Sequence, residues 1–169
     1  MQKFHLFIFI IVVLIAQACT VSLINTGIDY SVLDSFSLEQ FEVKSSNAPP
    51  TSGQTFSEQL KDRILNNTRL KYVDEDGDVQ FSGNVVGYQI SSLAPQANQT
   101  VAFQRLTIEI AINYKDTKQK DGSKNWTQTF SRFANFAADT DLSTVEDALI
   151  QEIYDQVLDD VFNRAFSGW

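Results

Sequence analysis

One cysteine and one histidine occur in the chain of 169 residues, Cys19 and His5, and both lie close to its start. Thiolate and imidazole are the usual nucleophiles, general bases and soft metal ligands, so their scarcity restricts the available chemistry at once. Cys19 follows Ala16-Gln17-Ala18, an unbroken apolar run from Leu6 to Ala16, and the positive Lys3. A charged start, a short apolar core and small residues mark an export signal, and the run falls well short of the roughly 20 residues that span a bilayer. The Ala-Gln-Ala ending fits ordinary signal cleavage. It also fits cleavage before a cysteine that is then acylated, although Ala16 and Gln17 stand where such a box usually has Leu and a small residue. In an oxidising compartment a single unpaired thiol would have no disulfide partner. Acylation gives that thiol a purpose, so lipidation at Cys19 is the expectation and plain secretion the alternative.

Processing at Cys19 removes Lys3 and His5. No imidazole and no second thiol remain, so Ser-His-Asp and Cys-His catalysis are excluded, as are His and Cys metal sites. Carboxylate or lysine chemistry would be left to an enzyme, and neither has a signature here. No cofactor and no metal are implied.

The acidic sequence Asp74-Glu75-Asp76-Gly77-Asp78 invites a calcium reading. An EF-hand loop needs glycine at its sixth position and a bidentate glutamate at its twelfth. Counted from Asp74, glycine is fourth and the twelfth residue is Val85, so the segment reads as a hydrated turn before a strand. Asn66, Asn98 and Asn125 each begin an Asn-X-Thr triplet, a short and common pattern that an export signal of bacterial type leaves without consequence. Lys115, Lys118, Lys120 and Lys124 form the one dense basic cluster, offset by Asp116 and Asp121. A hydrated loop tip is the plainer reading. The sharper one is an anion-binding tip, with lysine meeting phosphate as a point charge. Arg105 and Arg132 read as structural partners of carboxylates. Trp126, Phe130, Phe133 and Phe136 crowd one strand, and Phe162, Phe166 and Trp169 lie near the end. Most should be core, and any left exposed would form a partner-binding patch.

Composition narrows the partners. Lys and Arg number 13 against 21 Asp and Glu, a formal charge of −8, which argues against nucleic acid and against attraction to anionic lipid by charge. With 43% hydrophobic residues, the chain is long enough for one domain with a real core.

The elements that would position these residues follow from periodicity. Residues 36–43 read as a strand with an irregularity between Leu38 and Phe41. Residues 54–67 read as a helix with a capping box at Thr55 and Glu58, its face made by Phe56, Leu60 and Ile64. A short strand-like piece at 70–73 precedes a long strand over 79–90, whose apolar parity changes near Gly83 and Gly87, as at a bulge. Leu106, Ile108, Ile110, Ile112 and Tyr114 alternate cleanly, and a polar hairpin over 116–123 returns along 125–136. A long amphipathic helix closes the chain, with a capping box at Ser143 and Glu146. The sum is an α/β two-layer sandwich, with two helices packed on a four-stranded mixed sheet.

Several segments then carry a family likeness: TFSEQLKDRIL (Thr55–Leu65), DVQFSGNVVGYQI (Asp78–Ile90), RLTIEIAI (Arg105–Ile112), FSRFANF (Phe130–Phe136) and LSTVEDALIQEIYDQVLDDVFNRA (Leu142–Ala165). With the lipid-anchor start, they resemble the LptE family of lipopolysaccharide-assembly lipoproteins. The resemblance divides the chain into a signal peptide at 1–18, a lipidated N-terminus and tether at 19–30, and an LptE-like domain at 31–169. It implies a non-enzymatic protein held at the periplasmic face of the outer membrane by acyl chains. The implied partners are an LptD-like β-barrel and lipopolysaccharide. It transfers no binding residues. The lysine cluster at 115–124 is a candidate for lipid A phosphates on its own chemistry. A lipid-anchored binding or scaffolding domain serving another envelope complex is the rival reading, and a periplasmic enzyme working through paired carboxylates a more distant one.

Overall fold

The computed structural model describes residues 27–94 and 102–167; the signal segment, Cys19 with most of the tether, Asn98 and Trp169 lie outside them. Its elements are β1 (Ser35–Leu38), β2 (Glu42–Val43), α1 (Ser52–Asn67), β3 (Lys71–Tyr72), β4 (Val79–Ser92), β5 (Phe103–Asp116), β6 (Trp126–Ala137) and α2 (Leu142–Phe166). The sheet order is β3-β1-β4-β5-β6, and β2 also pairs with β4. β1 runs parallel to β3 and β4, whereas β4, β5 and β6 form antiparallel ladders. The expected two-layer α/β sandwich with a mixed sheet is therefore present.

The strand count differs from four. The single strand read over 36–43 is two strands, because the chain leaves the ladder at Glu39–Phe41 to bury the Phe41 ring under α1. There the Phe41 amide donates to Ser57 Oγ at 2.9 Å instead of to a neighbouring strand. The short piece near residue 71 is a sixth strand at the sheet edge.

Neither helix starts through the capping box its sequence offers. α1 begins at Ser52 after Thr51, which makes no side-chain cap, so Thr55 and Glu58 are already inside the helix. α2 is capped by Asp141, whose carboxylate accepts from the Ser143 amide at 3.0 Å. Glu146 is thereby free to accept from the Tyr88 hydroxyl on β4. Burial, with Glu146 alongside, pushes the Tyr88 phenol well above its ordinary range.

Burial follows the pleat. Leu106, Ile108, Ile110, Ile112 and Tyr114 of β5 are all buried beneath the helices, as are Val79, Phe81, Val85 and Tyr88 of β4. The change of parity in β4 is a bulge between Val85 and Gly87, which leaves Val86 exposed. At the centre, Phe41 meets Phe56 edge-on at 5.0 Å, and Phe56 meets Tyr154 at 5.2 Å. The Tyr154 hydroxyl reaches across the helix pair to the Ser52 carbonyl at 3.0 Å, so the deepest polar group of α2 is satisfied.

The first turn of α1 rests directly on the chain between β1 and β2. A Cβ at Gly53 would lie 2.0 Å from the Phe41 carbonyl oxygen. Helix propensity alone predicts that Gly53→Ala stabilises by about 1 kcal/mol. Here the backbone contact reverses the sign, and a loss of about 1–3 kcal/mol is expected in urea unfolding. An equal or higher midpoint would show that α1 can ride outward without cost.

Candidate functional site

The β5–β6 hairpin is held by its own short polar side chains. Asp116, buried at the end of β5, accepts from the Lys118 and Gln119 amides at 2.9 and 3.1 Å, and Asn125 Oδ1 accepts from the Asp116 amide. Asp121 accepts from the Ser123 amide and hydroxyl, which holds its carboxyl below the usual range. Gly122 follows with φ +66°, the left-handed conformation that favours glycine.

This rigid tip spreads the four lysines instead of converging them. Lys115, next to last in β5, lies on the sheet face away from the helices, opposite Gln80. Lys118 reaches Asp78 in the acidic turn at 2.7 Å. Lys120 is exposed near the tip. Lys124 lines a cavity of about 600 Å³ bounded by the hairpin, residues 27–33 and the end of α2.

The cavity is amphipathic. Tyr114 and Trp126 stack at 5.3 Å, nearly parallel, with the Arg164 guanidinium 5.1 Å from the Trp126 ring centre. Phe166, Ile28 and Val32 add apolar surface, while Asp29 and Asp116 balance Lys124 and Arg164. Burial pushes the Tyr114 phenol up. Hydrogen bonds from Ser31 lower the Asp29 carboxyl, with Lys124 adding to the effect. The lining is thus apolar on its aromatic wall and of mixed charge on its rim, with no excess of either sign. The Gly27 amide donates to the Phe166 carbonyl at 2.7 Å, so this part of the segment read as a tether is docked against α2.

Asp78 has more to do than a hydrated turn requires. Asp74, Glu75 and Asp76 are exposed as the sequence suggests, whereas Asp78 accepts from the Asp34 and Ser35 amides at 2.8 and 3.0 Å and pairs with Lys118. It thus ties β1, β4 and the hairpin together. Burial alone would raise its carboxyl, but Lys118 and the two amides outweigh that and hold it at about 2. The partners lie forty or more residues away in sequence, so no local pattern announces them.

Arg132 pairs with Asp160 of α2 at 2.6 Å, as expected of it. Among the described residues, Arg105 does not pair with a carboxylate. Its guanidinium stacks on Phe133 at 3.7 Å and its Nε donates to Asn135 Oδ1 at 3.0 Å. Trp126 is half-buried, Phe130 and Phe136 are buried, and Phe133 is exposed. Arg164 escaped the sequence reading, because arginine in the last turn of a helix ordinarily serves only the helix dipole. Among the described residues, no group of three or more His, Cys, Asp or Glu side chains could hold a metal ion, and no helix is long and apolar enough to cross a membrane.

The family model described as LptE, lipopolysaccharide-assembly, matches residues 33–165, which is well over half of the chain. The chain belongs to the LptE family. It is a lipopolysaccharide-assembly lipoprotein and not an enzyme. Solved structures repeat the fold at low identity. Rare lipoprotein B from Shewanella oneidensis aligns with TM-score 0.50 and 18% identity, over 77% of this chain and 92% of that one. A putative neuraminyllactose-binding hemagglutinin homolog from Helicobacter pylori aligns with TM-score 0.51 and 11% identity, over 77% and 81%. Protein XCC0632 from Xanthomonas campestris aligns with TM-score 0.50 and 11% identity, over 75% and 80%. No curated protein matches the sequence. The LptE-family core thus includes both helices and every strand, and the cavity lies at the end where residues 27–33 enter.

Proposed function

We propose that the chain is an outer-membrane lipoprotein, anchored on its periplasmic face through acylated Cys19, that partners an LptD-like β-barrel in carrying lipopolysaccharide to the outer membrane. The family match across residues 33–165 carries this reading. The amphipathic cavity adds chemical support. Lipid A offers phosphates beside acyl chains, and Lys124 and Arg164 stand beside the Tyr114–Trp126 wall. Lys120 is exposed in the same hairpin without lining the cavity, while Lys118 is committed to Asp78 and Lys115 faces elsewhere.

Isolating the tagged chain from detergent-solubilised outer membranes tests the partner. A near-equimolar barrel of the LptD kind is the expected result. Recovery without any barrel, at native expression, would leave an anchored domain serving another envelope complex. The lysine reading has its own test, which avoids the structural Lys118. Lys120→Glu together with Lys124→Glu is expected to weaken lipopolysaccharide binding by the purified protein about tenfold, as loss of two point charges on phosphate should. Unchanged affinity would remove the hairpin from the binding surface.

A further inference from the structure

The last turn of α2 is only half satisfied by the residues around it. The final carbonyls of a helix need donors from beyond its end. The Ser167 amide donates to the Asn163 carbonyl at 2.9 Å, and the Gly27 amide takes the Phe166 carbonyl at 2.7 Å. The Arg164 and Ala165 carbonyls, which lie between, accept from no donor among the described residues. The next two amides along the chain belong to Gly168 and Trp169.

That order of residues suits a left-handed helix ending. Ser167 caps α2 at φ −94° and ψ 9°, in the region that turns use. Glycine just past the cap takes positive φ without a Cβ penalty. In such an ending the glycine amide and the amide after it bond to the carbonyls two and three residues before the cap, here Ala165 and Arg164. The side chain that follows the glycine then folds back over the last turn. Here that side chain is Trp169, and the residues beneath it are Arg164 and Asn163.

Asn163 and Arg164 both line the cavity of about 600 Å³ at this end of the domain. The Arg164 guanidinium lies against the Trp126 ring and makes no hydrogen bond or ion pair among the described residues. Because the charges of the lining balance, a neutral aromatic occupant matches it, and a buried aromatic side chain contributes about 150–250 Å² of contact. Two residues span at most about 7 Å, so the indole cannot travel far from Ser167. Across the cavity stand Ile28 and Val32, in the segment whose Gly27 is bonded to Phe166.

We propose that Trp169 seats in this cavity, between Arg164 of α2 and residues 27–33, and clamps the root of the N-terminal tether to the end of α2. The stretch from Cys19 to Gly27 then leaves the domain from a fixed point. A headgroup entering the cavity would meet this indole first, but the clamp itself needs no ligand.

The test uses the purified full-length chain, which has two tryptophans. In Trp126→Phe only Trp169 emits, and acrylamide should quench it at least about threefold less efficiently in the folded protein than in urea. Adding Gly168→Val to that variant keeps the indole but disfavours positive φ, so the protection should be lost. A detergent micelle shields both proteins alike, so the difference between them reports the cavity. Trp169→Ala should raise amide exchange over residues 27–33 at least about tenfold while α1 and β5 keep their protection. Thermal melts of each variant separate release of the clamp from loss of fold. Free quenching of Trp169 in the folded chain overturns the proposal and leaves the cavity to residues 20–26 or to an added amphiphile. Equal protection with and without Gly168→Val overturns it too, as does unaltered exchange over residues 27–33 in a folded Trp169→Ala chain.

Discussion

Phe56→Ala is expected to lower the free energy of unfolding by about 3–5 kcal/mol, the usual cost of emptying a buried aromatic site. Phe56 has no exposed surface and stands between two rings, Phe41 from the chain between β1 and β2 and Tyr154 from α2. Its loss removes both edge-to-face contacts and opens a void where α1, α2 and the sheet meet. Collapse into that void is opposed on two sides: Gly53 already touches the Phe41 backbone, and the Tyr154 hydroxyl is tied to Ser52. Urea unfolding should therefore show a lower midpoint with an unchanged slope. Phe133→Ala, on the open face of β6, should shift the same midpoint by less than about 1 kcal/mol. Equal effects at the two positions would contradict the assignment of Phe56 to the centre of the core.

Asp78→Ala is the second large effect, at about 3 kcal/mol. The substitution leaves the Asp34 and Ser35 amides and the Lys118 ammonium without their acceptor, and each such orphaned group costs about 1–3 kcal/mol where water does not replace the partner. Asp78→Asn keeps an acceptor but not the charge, so it should cost less. The pH dependence has a definite sign. The folded carboxyl titrates at about 2, below its ordinary 3.8, so the folded state holds the ionised form more tightly. That stabilisation is complete above the unfolded value and disappears as the pH falls from about 5 through 2; it amounts to about 2 kcal/mol. In Asp78→Asn this acid-labile part should be missing, so the stability difference from the unaltered protein should shrink steadily as the pH is lowered toward 2. A difference constant across that range would mean that Lys118 and the amides do not depress the carboxyl.

Much of this architecture is legible in residue order because its elements are long and periodic. The alternation from Leu106 to Tyr114 appears as buried and open positions of β5, and the apolar face of α2 packs as read, from Leu149 to Phe166. The glycine-marked parity change in β4 is a real bulge. The departures occur where a non-local contact overrides a local rule. Phe41 was read as part of a strand, but its ring is worth more under α1 than its amide is in a ladder. Ser143 and Glu146 have capping-box spacing, yet Asp141 lies closer to the true start of α2 and Tyr88 claims Glu146. The candidate lysines were close together in sequence, and a hairpin of fixed geometry sends them in different directions. The stacked Arg105 depends on a neighbour on another strand, so nothing near it in the sequence could reveal that Phe133 takes the place of a carboxylate.

The place of β6 in the sheet bears on the solubility of the protein. β6 has a ladder on one side only, so alternate residues along its length present unpaired amides and carbonyls, which is the kind of edge on which a second chain can add a strand and begin an aggregate. Arg132 stands midway along that edge, turned toward the helix layer and held by Asp160. An exposed pair of this kind adds only about 0–1 kcal/mol to the fold. Its larger effect is to make any added strand bury a charge, so the pair protects the edge against self-association more than it strengthens the domain.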